Sequence, residues 1–267
     1  MGFEFRTENY VEPLAPIKTA KIKRWLPYWA VFQADFRQTL RSWVYRFWVL
    51  ISVLATIGYL LYRFGIAHEA GMVQYASKLI SDLLRWSVLG SVALIIALTG
   101  GSISSERGIM ADSVLSRGIS RYQYFLGKWH ARLFAVTGTF LSMGLLALIG
   151  SFFLFHVDLS LLGSLVALAT LVAFLAVVAT CGVTVSAISN STVLGIAILW
   201  LVLYGVGFAL SLLPAPIMTP VRVLENLPNT LQGHYDLAVL GKLIGWSAVS
   251  SVGMATVGLV YFSRRDV

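Results

Sequence analysis

Six apolar segments, each near the length of a membrane-spanning helix, constrain this chain more than any other feature. A helix needs about 20 apolar residues to cross the hydrocarbon core of a bilayer. Only 12% of the residues are charged, which is too few to cover a globular surface in water, where about 25% is usual. The sequence therefore predicts an all-α integral membrane protein with six transmembrane helices, in a membrane domain over residues 43–262. We expect the spans at 43–64, 86–103, 133–155, 160–187, 192–213 and 243–262, with the second helix beginning earlier, within 75–84.

Lysine and arginine are unequally distributed between the two sides of such a six-span protein. One side, which holds the N-terminal arm, the 103–132 loop and the tail at 263–267, carries fourteen of these residues, whereas the other carries four. Because loops rich in lysine and arginine stay cytoplasmic, we expect a multi-pass protein of the cell (inner or plasma) membrane with both termini in the cytoplasm. The formal net charge of +8 is then explained by membrane orientation, and no nucleic-acid partner is expected.

The N-terminal arm, residues 1–42, ends in an amphipathic pattern. Aromatic side chains recur there at steps of three and four, with arginine and glutamine between them, which is typical of a helix lying in the headgroup layer of the membrane. The alternative, a stripe packed on a soluble domain, has no such domain to pack on. The interfacial helix is predicted to contact lipid through Trp25, Trp29, Phe32 and Phe36.

The segment 214–242, on the predicted outer side, is broken by four prolines into short, half-apolar pieces. Such pieces are typical of short re-entrant helices that enter the outer leaflet without crossing, where protein or water satisfies their backbone. An ordinary surface loop is the alternative.

The sequence also lacks several kinds of chemistry. The last four predicted spans contain no Asp, Glu, Lys, Arg or His, so a proton or sodium relay has no titratable group there. The four histidines are scattered without metal-ligand spacing, and no catalytic set is recognisable. Neither Gly-Lys pair, at 127–128 or 241–242, completes a P-loop. We therefore expect no catalytic, metal or nucleotide site in this chain, so that energy for any uphill transport comes from a second polypeptide.

Short motifs follow one another in the 103–132 loop. They read SSERG at 104–108, DSVLSR at 112–117, ISRY at 119–122 and Gly-Lys at 127–128. In this order they resemble the cytoplasmic loop of type 2 ABC exporter permeases, with Gly118 where that family usually has proline. The tail FSRRDV at 262–267 similarly resembles the family's Phe-x-Arg-Arg-Asp ending, and the six spans agree with the family's count.

The resemblance implies the permease subunit of an ATP-binding-cassette transporter, an exporter rather than an enzyme. It also implies a separate cytoplasmic ATPase that holds ATP and Mg²⁺, and a second permease subunit in a homodimer or heterodimer. A short coupling helix at 112–115 would seat on the ATPase, with Val114 and Leu115 as apolar anchors and charged contacts around them. The implied coupling residues are Glu106, Asp112, Val114, Leu115, Arg117 and Arg121.

Two alternatives remain. An ATPase-driven permease could act mechanically on an envelope or periplasmic partner through the 214–242 segment. An ion-coupled carrier or a membrane enzyme is the other. Basic residues of the loop could also serve only as anchors at the cytoplasmic surface, an interpretation that suits Lys128 and Arg132 well.

Overall fold

The computed structural model describes residues 25–71, 73–104, 119–155, 158–212 and 219–264. The regular secondary structure of these residues is helical throughout. In chain order the helices are α1 (Leu26–Arg41), α2 (Trp43–Ala70), α3 (Ala76–Thr99), α4 (Arg121–Leu154), α5 (Leu161–Ile188), α6 (Thr192–Ser211), α7 (Pro220–Glu225), α8 (Leu227–Leu231) and α9 (Leu237–Arg264).

Six of these helices, α2 to α6 and α9, are long and apolar enough to cross a membrane. The prediction of an all-α protein with six spans is therefore confirmed at that level. The helix of the second span begins at Ala76, inside the range expected for it. The last helix begins at Leu237, six residues before the predicted span, because Gly241 and Lys242 lower the local hydropathy without interrupting the helix.

Helix α4 is the longest helix and projects beyond the hydrocarbon core. Its 34 residues extend about 51 Å at 1.5 Å per residue, whereas the core is about 30 Å thick. Ser120 caps its start, since the Ser120 hydroxyl accepts the Gln123 N–H at 3.2 Å and the Gln123 amide oxygen accepts the Ser120 N–H at 3.2 Å. Helix α4 therefore begins at Arg121, directly after this cap.

Helix α5 lies at the centre of the bundle and packs against α3, α4, α6, α8 and α9. The neighbouring helices can approach α5 closely because α5 has small residues where they cross it. A Cβ on Gly182 would overlap the Thr99 side chain of α3, and one on Gly163 would overlap the Thr230 carbonyl of α8. The core that surrounds α5 contains the fully buried side chains Ile80, Leu84, Ile95, Phe140, Leu168, Leu171, Leu175, Leu227 and Leu231.

Asp158, in the α4–α5 connection, holds the end of the bundle that lies away from the α3–α4 connection. We call this the opposite end. The carboxylate accepts the Ser77 N–H at 2.9 Å and the Ser77 hydroxyl at 2.5 Å, so it caps the start of α3 from another loop. Gln232, just after α8, donates to the same carboxylate at 2.9 Å. Burial alone would raise the pKa of Asp158, but the hydrogen bonds from Ser77 and Gln232 outweigh it and hold the pKa below its usual value.

The predicted segment 214–242 contains two short helices among its described residues. Proline stands in the first turn of both α7 and α8, where its missing N–H costs nothing. Leu227 and Leu231 bury α8 against the core. Arg85 of α3 donates to the Leu224 carbonyl at 3.2 Å and so ties α7 to the same end.

A sharp elbow at Ser42 joins α1 to α2. Ser42 is extended (φ −62°, ψ 138°), donates its N–H to the Thr39 carbonyl at 3.1 Å and accepts the Tyr45 N–H on its hydroxyl at 3.3 Å. One residue therefore ends α1 and caps α2, and the chain changes direction without a flexible linker.

Candidate functional site

Helix α1 docks along the first turns of α4, ahead of the predicted span of that helix. The contact is close because Gly127 has no side chain. A Cβ there would lie 2.8 Å from Val31 Cγ1 and 3.2 Å from the Phe32 backbone nitrogen. The Tyr28 hydroxyl lies 3.1 Å from His130 Nδ1, and the Phe32 and Phe134 rings meet edge-on at 5.9 Å between centroids.

A buried ion cluster, which we call the charge clamp, fastens this contact; it consists of Asp35 of α1 with Lys128 and Arg132 of α4. Arg132 Nε lies 3.1 Å from Asp35 Oδ2, and Arg132 Nη2 donates to Oδ1 at 3.2 Å. Lys128 Nζ lies 3.4 Å from Oδ1. Asp35 and Lys128 are each 3% exposed and Arg132 is 8% exposed, so water screens these charges little.

The clamp carries two cations and one carboxylate, and Lys128 spreads its charge over further groups. Its ammonium donates to the Ser102 carbonyl, just beyond the end of α3, at 2.8 Å. It also lies 5.3 Å from the centroid of the Tyr124 ring, within reach of a cation–π interaction. A buried ion pair is favourable only when such additional partners satisfy it. The clamp thereby joins three helices: α1, the end of α3 and the start of α4.

Both ends of the α3–α4 connection are fixed to the bundle by further polar contacts. The Ser186 hydroxyl of α5 accepts the N–H groups of Ile103 at 3.0 Å and Ser104 at 3.2 Å. At the other end of the connection, Arg121 donates to the Ser263 carbonyl in the last turn of α9 at 3.1 Å. Any displacement of this connection therefore acts on α1, α5 and α9.

Of the six predicted coupling residues, Arg121 is described, and it lies half-buried against the end of α9. The other five, Glu106, Asp112, Val114, Leu115 and Arg117, lie outside the described residues, as does the predicted coupling helix at 112–115.

Of the four aromatic residues predicted to form the interfacial stripe, Trp29, Phe32 and Phe36 form one stacked row, whereas Trp25 meets the Tyr28 ring edge-on at 6.0 Å between centroids. Trp29 stacks on Phe32 at 5.1 Å, and Phe32 stacks on Phe36 at 5.8 Å between centroids. Trp25 and Trp29 are 69% and 52% exposed. The row lies beside the face of α1 that docks on α4, so α1 has one docked face and an adjoining aromatic face.

Sequence reasoning missed the clamp. The alternative role of Lys128 and Arg132, as anchors at the cytoplasmic surface only, does not account for their positions, because both are buried and ion-paired. The available signal was Asp35, the one carboxylate in residues 25–68, placed among basic neighbours. Lys128 and Arg132 stand four apart, which puts them on one face of a helix. A sequence can be searched for this pairing, in which one helix carries a single acidic residue and another carries two basic residues four positions apart.

No group of three or more His, Cys, Asp or Glu capable of holding a metal ion occurs among the residues that the structure covers. The chain matches no protein-family model, and a comparison with curated proteins likewise finds no match. The arguments on function consequently depend on residues and geometry.

Proposed function

We propose that this chain is the membrane-spanning permease subunit of an ATP-binding-cassette transporter that works as an exporter. A separate cytoplasmic ATPase would bind ATP and Mg²⁺ and hydrolyse the nucleotide, while this chain forms the path for the substrate. The motif order in the 103–132 loop supports the family, and the six apolar helices supply a membrane domain of the required kind.

The observation that carries the proposal is the double attachment of the α3–α4 connection. A segment that receives force from a partner must be joined firmly to the helices that move. Here Ser186 fixes its beginning, and Arg121 with the charge clamp fixes the helix that follows it. A push on the connection would therefore displace α1, α4, α5 and α9 together, as rigid-body coupling requires.

The contacts with the ATPase are assigned to the segment between these attachments. Val114 and Leu115 would fill an apolar groove on the ATPase, since buried anchors dominate interface energy. Glu106, Asp112 and Arg117 would supply charged contacts at the rim, which set specificity and association rate more than affinity. Arg121 would hold the exit of this segment against α9.

The orientation follows from the charge distribution. The helix ends near the charge clamp belong to the lysine- and arginine-rich side, which favours the cytoplasm for that end and for both termini. In this arrangement α1 is an interfacial helix of the inner leaflet. The short helices α7 and α8 would be re-entrant elements of the outer leaflet.

Pairing with a second permease subunit is supported by unpacked helix faces. Helices α2 and α6 bury only 11% of their most apolar windows, against 44% for α5. Such faces require either lipid or another subunit, and in the proposed dimer one of them contacts the second copy or a related chain.

Co-purification tests the proposal directly. The tagged chain, extracted in mild detergent from its own membrane, is expected to retain a P-loop ATPase in near-stoichiometric amount. The charge reversal Asp112→Lys with Arg117→Glu should release that ATPase while the chain still inserts. Asp236→Lys with Lys242→Glu, the same reversal at the opposite end, is the matched control and should retain it. ATPase retained equally by both variants would remove the loop from the interface. If the wild-type chain retains no ATPase and works alone in a proton gradient, the proposal is wrong.

A further inference from the structure

The elbow between α1 and α2 presents unpartnered positive charge beside an exposed aromatic surface. Arg37 and Arg41 stand one turn apart on α1, and both are exposed. Within the described part of the chain, neither has a hydrogen-bond or ion-pair partner. Arg46, in the first turn of α2, is also exposed and folds back to donate its Nε–H to the Leu40 carbonyl at 3.3 Å.

Among the residues that the structure describes, no carboxylate pairs with Arg37 or Arg41. Asp35 is the one acidic residue between 25 and 68, and it is buried in the clamp with Lys128 and Arg132. The clamp is itself a net cation. The elbow therefore attracts an anion from outside the described chain.

The aromatic surface indicates what kind of anion this is. Arg37 follows Phe36 directly, so the two side chains point about 100° apart on the helix. If the exposed side of the aromatic row is directed into the acyl chains, Arg37 would lie at the level of the lipid phosphates. Trp43 at the start of α2 is 78% exposed and stacks on Phe47, which is typical of the headgroup layer.

We propose that the α1–α2 elbow is a binding surface for anionic phospholipids, with Arg37 and Arg41 as the residues that recognise the phosphate-bearing headgroups. The aromatic row supplies the apolar contact that a soluble anion does not use, and the docked face fixes how α1 meets the bilayer. This inference does not depend on the proposed transport function.

The test uses the purified full chain in neutral detergent, titrated with dioctanoyl phosphatidylglycerol while the midpoint of thermal unfolding is followed. Phosphatidylglycerol should raise the midpoint, whereas dioctanoyl phosphatidylcholine and glycerol 3-phosphate should not. A basic residue near an anionic surface contributes about a fivefold gain in binding. Arg37→Gln with Arg41→Gln should therefore raise the half-saturating lipid concentration by about 25-fold.

Matched variants separate recognition from folding. Lys78→Gln with Lys242→Gln removes the same charge from exposed positions at the opposite end and should leave the response intact. Arg37→Lys with Arg41→Lys keeps the charge and should retain most of it. Added salt should weaken the wild-type response. An unchanged response in the double glutamine variant, an equal response to phosphatidylcholine, or an equal response to glycerol 3-phosphate would each overturn the inference.

Discussion

Replacing Asp35 by asparagine should release α1 from α4. The substitution keeps the shape of the side chain but leaves Lys128 and Arg132 buried without their carboxylate. Breaking a buried ion pair from one side costs about 3–5 kcal/mol. Because Lys128 keeps the Ser102 carbonyl and the Tyr124 ring, we expect the lower end of that range, about 3 kcal/mol.

The loss should appear first in α1, since the clamp is the main polar attachment of that helix to α4. A decrease of about 3 kcal/mol in the opening free energy corresponds to amide exchange about a hundredfold faster. Hydrogen exchange measured by mass spectrometry on peptides covering 26–41 reads this directly. Peptides from α5 should be much less affected.

Two further variants make the test decisive. Asp236→Asn is the same substitution at an exposed position where the side chain caps α9 through the Ala238 N–H at 2.8 Å; asparagine caps equally well, so exchange should not change. Asp35→Asn with Arg132→Gln removes a cation together with its partner, and should lose less stability than the two single variants added together. If Asp35→Asn leaves exchange in α1 within about threefold of wild type, the clamp does not hold α1.

Three other outcomes can be measured by unfolding in detergent. Gly127→Leu should destabilise the protein by about 3 kcal/mol or more, because the leucine side chain would meet the α1 backbone. Gly138→Leu should change stability little, because a Cβ at that position has open space around it. The pKa of Asp158 is lowered, so its contribution to stability is present above the unfolded pKa of about 3.9 and is lost as pH falls below that value through the folded pKa. Asp158→Asn should therefore weaken the loss of stability at acid pH. An unchanged acid dependence would refute this role of Asp158. Ser186→Ala should cost about 1–3 kcal/mol by orphaning two buried N–H groups, while Ser142→Ala, an exposed serine, should be near neutral.

The membrane architecture could be predicted from the sequence because hydropathy over about 20 residues reports directly on the solvent around a helix. The N-terminal stripe was equally readable, since its aromatic residues fall at helical spacing. The predicted spans are shorter than the helices where glycine or charged residues continue a helix, as at Gly241 and Lys242 of α9 and in the first turns of α4. Hydropathy measures lipid contact and does not detect a helix that extends into water or packs on protein.

The charge clamp could not be predicted from local patterns. Asp35 and Arg132 are 97 residues apart, and their pairing depends on the crossing of α1 over Gly127. That crossing is set by the absence of one side chain. Gly127, before Lys128, resembles a family motif in the sequence, and in the fold it leaves room for the backbone of α1, since a Cβ there would lie 3.2 Å from the Phe32 nitrogen.

Lys128 and Arg132 show that basic residues counted toward a predicted topology can have a further role in the fold. Both contribute to the excess that predicts a cytoplasmic loop, yet neither faces the lipid headgroups. Without them the imbalance is still twelve against four, so the orientation does not depend on them. Their burial instead requires a carboxylate, which is supplied by the preceding amphipathic helix. Lys128 and Arg132 thus help to hold α1 on α4 through Asp35, and α1 in turn carries the exposed Arg37 and Arg41.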